Sequence, residues 1–455
     1  PTGYQIQLSR PLDFYAVTDH AVFLGLLKEA ADTTSQFSRY DIAKPLHNLN
    51  NPVSNGFFSI IKRANLFRPF AQAVNDGVEE GNIDSSLIEE VGRSVWQETI
   101  KAADDAYVPG SFTTFAGYEY TSSIAQYEKY LHRNVIFRNT KNLPARIFSR
   151  IDSQDPEKLW DWMDQIREEG INSLAIPHNS NGSDGWMFEQ TYKSGGPIDR
   201  QYSEQRLRNE PLVEVTQVKG TSDTHPLMSP NDEWADFELM ESTIGSSNPS
   251  KAQGSYVREA YLNGMVLASK GAGNPYRFGL IGSSDTHNAA GSFREDRFWS
   301  KTGLLDATPQ QRGSVPDESG GFADVIRSYW GGSGLAGVWA ESNSRDSIFD
   351  AFERKETFAT SGPRMKIRFF ASAEALPVLL GQEDLKKAYN SGVSMGGDLS
   401  ISEDLSGSPH FTLQAMMDPL SAPLERLQVI KGWVEQGEKR EQVFDVACAT
   451  GDVNP

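Results

Sequence analysis

The stretch LDFYAVTDHAVFLG, residues 12–25, is the first indication of the fold class of this chain. Its strand-forming residues lead directly into Thr18, Asp19 and His20, and a helix-like pattern resumes immediately afterwards. Parallel α/β barrels build their active sites from strands that carry such polar groups at their carboxyl ends. The stretch therefore predicts a parallel barrel, provided that other strands of the chain repeat this arrangement.

Six further apolar, β-rich stretches have a polar functional residue at one end. They are FTTFAGYEYT (112–121), HRNVIFRN (132–139), SLAIPHN (173–179), LVEVTQ (212–217), RFGLIGSSDTH (277–287) and ETFATSG (356–362). Helical patterns lie between them, such as the one that Asp155 and Pro156 begin and Gly170 ends. Strands that are apolar on both faces and alternate with helices predict an α/β fold with a buried parallel sheet.

The character of the sequence changes in two places. Residues 32–90, approximately, are rich in Asn and Pro and contribute no such strand, which indicates a helical insertion. From about Met365 the pattern becomes one of alternating strands separated by turns. We therefore expect a barrel domain over residues 1–365 and a small β-rich domain over residues 366–455.

Composition limits the partners of the protein. The 455 residues carry a formal net charge of -18, whereas nucleic acid and anionic membranes attract positively charged proteins, so neither partner is expected. No apolar run is long enough to span a bilayer. The single cysteine, Cys448, excludes an intrachain disulfide and a cysteine-based zinc site. The oligomeric state is left open.

Histidines mark the candidate site. The chain contains seven, and four of them lie at the edges of separate predicted strands: His20, His132, His178 and His287. Two of the four have a carboxylate beside them, because Asp19 precedes His20 and Asp285 lies two positions before His287. Imidazole and carboxylate together suit Zn, Mn or Fe. A mixed set of this kind is typical of hydrolytic sites that hold several metals.

The motifs AVTDH, GYEYT, HRNVIFR, AIPHNSN and GSSDTH, in this order, resemble those of the PHP (polymerase and histidinol phosphatase) superfamily. The resemblance covers roughly residues 3–365 and is nearest to a bacterial branch described as a domain of unknown function (DUF3604). It implies a distorted (β/α)7 TIM-like barrel with two or three divalent metal ions at the strand ends. The metal ligands that it implies are His20, Glu119, His132, His178, Asp285 and His287.

One motif of the superfamily has no counterpart in this chain. It is a His-x-His on the first barrel strand, and we expect it to precede Pro1 in the natural protein, so that the first strand is missing here. A periplasmic or secreted location is expected on the same ground, with a cytoplasmic one left open.

The resemblance implies a metal-dependent hydrolase, most simply a phosphoesterase, that uses metal-bound hydroxide on a small anionic, phosphorylated substrate. His225 is a candidate proton donor to the leaving group. Lys219, Arg294 and Arg364 are candidates for binding the anion, although each is equally compatible with a surface role. Two alternatives are a non-catalytic binding module on a degenerate barrel and a hydrolase of a non-phosphate ester or amide.

Overall fold

The computed structural model of the protein describes residues 7–47, 66, 69–74, 76–122, 131–244, 246, 248–288, 330–400 and 408–451, together with positions 293, 301, 310, 315, 316 and 318–321. The helices with defined bounds are α1 (Leu26–Ala31), α2 (Ser85–Ala106), α3 (Pro156–Glu168), α4 (Arg200–Asn209), α5 (Val257–Ser269), α6 (Arg345–Glu353) and α7 (Gln382–Ser391). Short 3-10 helices span Phe37–Arg39, Asp41–Leu46 and Ser180–Gly182. Among the described residues, no helix combines the length and the apolarity that crossing a membrane requires.

The strands fall into two groups along the chain. The first group is β1 (Phe14–Ala16), β2 (Thr113–Phe115), β3 (Gly117–Tyr120), β4 (Arg133–Phe137), β5 (Ser173–Pro177), β6 (Leu212–Gln217), β7 (Gly220–Thr221), β8 (Gly279–Gly282), β9 (Leu335–Val338) and β10 (Thr357–Thr360). The second is β11 (Lys366–Ser372), β12 (Val393–Ser394), β13 (His410–Met416), β14 (Arg426–Glu435) and β15 (Glu438–Cys448).

The described strands form six small sheets of two or three strands, and these sheets do not close into a barrel. Strands β1 and β2 are parallel, as are β6 and β8, but β4 is antiparallel to both β3 and β5. The predicted distorted (β/α)7 barrel of the PHP type is therefore wrong, and the protein is a mixed α/β structure. An apolar run indicates that a strand is buried, but it specifies neither the partner of the strand nor the direction of pairing.

The helices that flank the central sheets follow the sequence pattern closely. The side chain of Asp155 accepts a hydrogen bond from the backbone N–H of Glu157 and so caps α3, which has Pro156 at its first position. The apolar residues of α3 recur at helical spacing and are buried: Leu159, Trp160, Met163 and Ile166. Ser344 caps α6 in the same way, through the N–H of Ser347. The predicted cap at Asp155 is confirmed.

The insertion predicted at about residues 32–90 is described only in part. Residues 48–65 lie outside the described ranges, and α2 already begins at Ser85, inside the predicted insertion. The two 3-10 helices near its start bury Phe37, Ala43 and Leu46 in one cluster with Phe70 and with residues of α1. This cluster packs the described part of the region on the remainder of the chain.

The described part of the region after residue 365 contains a three-stranded antiparallel sheet, β12–β11–β13, the hairpin β14–β15 and the ten-residue helix α7. The hairpin contacts α5, where the guanidinium group of Arg258 donates to the carboxylate of Glu441 at 2.6 Å. The β-rich character of this region agrees with its alternating sequence. A domain boundary at residue 365 stays a prediction.

Candidate metal centre

Glu119, in the third position of β3, is the centre of a cluster of imidazoles. The residue is only 5% exposed, and its Oε1 atom lies 2.6 Å from Nδ1 of His132, 3.1 Å from Nδ1 of His20 and 3.7 Å from Nε2 of His178. Four residues that the sequence predicted as metal ligands therefore meet around one carboxylate oxygen.

The backbone brings His20 to this carboxylate. After the parallel pairing of β1 with β2, the two chain segments stay side by side, and His20 forms an isolated parallel bridge with Glu119. The N–H of Ala21 donates to the carbonyl of Glu119 at 2.9 Å, and the N–H of Glu119 donates to the carbonyl of Asp19 at 2.9 Å. These two hydrogen bonds fix the position of the His20 side chain relative to Glu119.

The antiparallel sheet β3–β4–β5 supplies the other two imidazoles. His132 immediately precedes β4, whereas His178 immediately follows β5. Because neighbouring strands run in opposite directions, the start of β4 lies at the same edge of the sheet as the ends of β3 and β5. The N–H of His178 donates to the carbonyl of His132 at 3.3 Å. The strand direction that contradicts the barrel thus explains how these side chains meet.

The chemistry and spacing of three of these groups make a possible metal site. The candidate ligand atoms of His20, Glu119 and His132 all lie within 4.8 Å of one another, and two imidazoles with one carboxylate suit a transition-metal ion. His178 is 3% exposed, and within the described part of the chain its Nδ1 atom is buried without a hydrogen-bond partner. It is a candidate for a fourth ligand.

The charges in this cluster shift the pKa values of its members. Burial raises the pKa of Glu119, but His20, His132 and His178 lower it by more, so that it lies well below its usual range. Burial lowers the pKa of His20, yet Glu119 and Asp285 raise it by more, and the result is above the ordinary 6.5. Burial lowers the pKa of His178 to about 4. The carboxylate is therefore ionised, and His178 is neutral, at neutral pH.

Asp285 and His287, the other two predicted ligands, lie beside this cluster. The His287 ring packs edge-on at 5.9 Å from the ring of His20, and its Nδ1 atom lies 3.7 Å from Oδ1 of Asp285. The carboxylate of Asp285 contacts two buried ammonium groups, those of Lys219 and Lys301. The structure thus brings all six predicted ligands together. A ligand role for all six residues stays a prediction.

The two lysines determine the electrostatics of this second group. Burial raises the pKa of Asp285, but Lys219 and Lys301 lower it by more, so that it lies well below its usual range. Burial and the neighbouring ammonium of Lys219 together hold the pKa of Lys301 at about 7, against the opposing effect of Asp285. Asp285 also has a backbone φ of 48°, a left-handed conformation that non-glycine residues rarely adopt and that is common at functional sites.

Sequence reasoning missed three residues of the site. Thr121 places its Oγ1 atom 2.5 Å from Nδ1 of His20 and 3.0 Å from Oε1 of Glu119. Glu214, in β6, is 2% exposed, accepts a hydrogen bond from Ser283, and has a pKa that burial raises to about 8. Lys301 is the third. Glu214 gave a signal in the sequence, as an acid within the otherwise apolar stretch LVEVTQ, and Thr121 is the last residue of the motif GYEYT, whereas Lys301 gave no signal.

The four residues predicted to bind the substrate or to donate a proton differ in where they lie relative to the metal centre. Nε2 of His225 lies 3.0 Å from Oε1 of Glu241, and His225 is not among the residues that line the cavity beside the metal centre. Arg364 lines this cavity, and its guanidinium group donates to the backbone carbonyls at positions 10 and 11. Lys219 contacts Asp285. Arg294 lies outside the described residues.

A cavity of about 810 Å³ adjoins the metal centre. Its polar part includes His20, Glu119, His178, Glu214 and Asp285. Its apolar walls come from side chains of several strands and of α6: Phe14, Phe115, Ile136, Ile176, Leu212, Ile281, Ile348 and Phe352. The volume is in the range of pockets that bind small molecules.

The protein is thus a mixed α/β protein with a candidate metal centre on the wall of a cavity. It belongs to the family described as "Protein of unknown function (DUF3604)", whose model matches residues 1–454. This match confirms the branch that the motifs indicated, but it does not connect the chain to the PHP superfamily. No curated protein and no solved structure matches the chain.

Proposed function

We propose that the protein is a metal-dependent hydrolase that acts on phosphate esters. The observation that carries the proposal is the position of His20 and His132 around the buried carboxylate of Glu119, at the wall of a cavity large enough for a small substrate. The choice of phosphate esters rests on the resemblance of the five sequence motifs to the PHP superfamily.

His20, Glu119 and His132 would hold a divalent cation, with His178 as a further ligand. Zn, Mn and Fe all accept a mixed imidazole and carboxylate set. Such a cation supplies a water molecule of lowered pKa and a positive charge that stabilises negative charge on the substrate.

Two groups of this chain would then assist the reaction. Glu214 lines the same cavity and, with a pKa of about 8, carries a proton at neutral pH. A protonated carboxyl group in this position can donate its proton to a leaving oxygen. The ammonium groups of Lys219 and Lys301 add positive charge beside Asp285, which favours an anionic substrate.

A non-catalytic binding module is the second candidate. Asp285, which the resemblance makes a metal ligand, contacts two ammonium groups instead. A carboxylate engaged in this way favours a centre with fewer metal ions than the superfamily pattern implies. A single ion could serve binding alone, or hydrolysis of a carboxylic ester or an amide.

Metal content and activity distinguish these functions. The purified protein would be analysed for bound metals, stripped, and reloaded separately with Zn, Mn and Fe. Each form would be assayed with an aryl phosphate and with the corresponding aryl acetate. We expect one metal per chain or more, and hydrolysis of the phosphate that requires the metal.

Two substitutions make the test specific. Glu119→Gln and His132→Ala should both remove metal and activity, whereas Glu90→Gln and His410→Ala, at exposed positions, should leave both unchanged. Metal binding without any hydrolysis would support the binding module, and hydrolysis of the acetate alone would support the ester hydrolase. A protein that binds no divalent cation would contradict all three functions.

A further inference from the structure

Asn181 joins two segments of the chain that carry residues of the candidate site. It is the last residue of the motif AIPHNSN and lies three positions after His178. Its Nδ2 atom donates to the backbone carbonyl of Lys219 at 3.0 Å, and its Oδ1 atom accepts a hydrogen bond from Oγ of Ser222 at 3.0 Å. The side chain therefore connects the segment after β5 with the strand pair β6–β7.

The carboxamide of Asn181 is buried and hydrogen-bonded at both of its ends. The residue is 1% exposed. Its backbone is bound as well, because its N–H donates to Oγ of Ser222 at 3.2 Å and its carbonyl accepts from Oγ of Ser250 at 2.7 Å. A buried amide whose hydrogen bonds are satisfied in this way is rigid, so it also fixes the backbone groups to which it binds.

Lys219 lies in the short turn between β6 and β7. The last residue of β6, Gln217, pairs with the first residue of β7, Gly220, so that only Val218 and Lys219 form the turn. The N–H of Lys219 donates to Oε1 of Gln217 at 3.0 Å. Amide side chains therefore hold both backbone polar groups of Lys219, one at its N–H and one at its carbonyl.

The fixed backbone directs the side chain of Lys219. A lysine side chain has a flexible stem, and the orientation of its backbone limits where its ammonium group can lie. In this turn the side chain is buried and its Nζ atom contacts the carboxylate of Asp285, which lines the cavity. A positive charge at this place favours an anionic group in the cavity.

We propose that Asn181 is a positioning residue, which holds the turn of Lys219 so that the ammonium group stays at Asp285 and favours a phosphate group in the cavity. The inference rests on the proposed function, because phosphate is the anion that this function requires, but it concerns binding and needs no hydrolysis. Loss of a hydrogen bond of this kind typically changes an equilibrium constant by about 3- to 10-fold.

The position of Lys219 can be measured by chemical labelling. The protein would be treated with a trace of an amine-acetylating reagent, and the rate at each lysine would be followed by mass spectrometry. In Asn181→Ala, Lys219 should react roughly 3- to 10-fold faster, because its amine contacts Asp285 for less of the time. Lys301, a buried lysine that contacts the same carboxylate, should keep its rate. A general loosening of the fold would raise both rates.

Phosphate affinity provides the second readout. Inorganic phosphate would be titrated into the purified protein in a calorimeter, and Asn181→Ala should bind it roughly 3- to 10-fold more weakly. The same substitution should have no further effect in Lys219→Met, because Asn181 acts through Lys219. Asn263→Ala is the matched control, since Asn263 is a buried asparagine whose Oδ1 atom accepts a hydrogen bond from Lys439.

A milder variant keeps the test usable if Asn181→Ala does not fold. Ser222→Ala removes the hydrogen bond to Oδ1 of Asn181 and should change both readouts in the same direction, to a smaller extent. Thermal unfolding of each variant shows whether it is folded.

The outcomes separate this inference from the proposed function. The inference requires both changes, so it is overturned if either readout is unchanged, if Lys301 reacts faster to the same extent as Lys219, or if the effects of Asn181→Ala and Lys219→Met on phosphate affinity add up. A natural protein that binds no phosphate overturns it as well. If Lys219 alone reacts faster and phosphate affinity falls through Lys219, the inference holds. It holds then even if no phosphate ester is hydrolysed, a result that contradicts the proposed function alone.

Discussion

The Nζ atom of Lys301 lies 2.7 Å from Oδ2 of Asp285 and also donates to the backbone carbonyl of this residue at 2.9 Å. Since Lys219 contacts the same carboxylate oxygen, two buried lysine side chains share one negative charge, Lys219 as a full ammonium group and Lys301, with its pKa of about 7, as a partly protonated one at neutral pH. The region beside the candidate metal centre therefore has more positive than negative charge.

This charge predicts the effect of Lys301→Met. The ammonium group lies 3.0 Å from Nδ1 of His287 and its charge also lowers the pKa of His20, so it opposes a cation at the centre. We expect the variant to bind Zn or Mn roughly tenfold more tightly, as measured by calorimetric titration. Lys270→Met, at an exposed position, is the control. Equal affinities in the two variants would show that Lys301 does not act on the centre.

Glu214 predicts a dependence of stability on pH. Its pKa of about 8 in the folded protein exceeds its ordinary 4.5, so the folded protein keeps a proton that the unfolded chain releases. The resulting stabilisation is complete below pH 4.5 and is lost as the pH rises to about 8. Relative to Glu214→Gln, the natural protein should lose about 1.4 kcal/mol of unfolding free energy per pH unit over this interval. Denaturant unfolding at several pH values measures the difference, and parallel curves for the two proteins would contradict it.

His20 predicts a dependence of metal affinity on pH. A cation must displace the proton of the imidazolium, whose pKa lies above 6.5 because of Glu119 and Asp285. Affinity should therefore fall by about tenfold per pH unit below this pKa, whereas His178, with a pKa of about 4, contributes nothing above pH 5. Competition titrations with a coloured chelator between pH 5.5 and 8 would measure the slope. An affinity that is constant over this range excludes His20 as a ligand.

Removal of the carboxylate of Glu210, the centre of a buried ion-pair network, is expected to lower the free energy of unfolding. Glu210 is fully buried and accepts hydrogen bonds from Arg133 at 2.6 Å, from Trp160 at 2.8 Å and from Arg206 at 3.0 Å. Glu210→Ala leaves two buried guanidinium groups without their carboxylate, which should cost about 3–5 kcal/mol of unfolding free energy. Metal affinity should fall as well, because Arg133 follows His132 directly. Glu204→Ala, at an exposed position of α4, the helix that Glu210 follows directly, should change neither quantity.

Local features of the fold could be predicted from the sequence because they depend on neighbouring residues. The cap at Asp155 and the spacing of Leu159, Met163 and Ile166 specify α3 without reference to the rest of the chain. The pairing of β4 with β3 and β5 depends on segments far apart in the sequence. No pattern within any one of these strands encodes its direction, and the predicted barrel failed at this point.

The candidate site, like the fold, could be predicted only in part from the sequence. Imidazoles and carboxylates at strand ends are visible in the sequence, and the structure brings them together. Lys301 carried no such signal, and Thr121 only its place in the motif GYEYT, because threonine and lysine are common at positions without function. Their contacts with His20 and Asp285 arise only from the folded arrangement.

The bridge between His20 and Glu119 joins two segments about a hundred residues apart. A cation held by both would act as a reversible cross-link across this long loop, and it would bind only the folded chain. Its binding energy would then be added to the stability of the fold, by an amount that grows with the concentration of free metal. The concentration of free metal in the surroundings would in this way govern how long the folded protein resists proteolysis, even in a variant that has no catalytic activity.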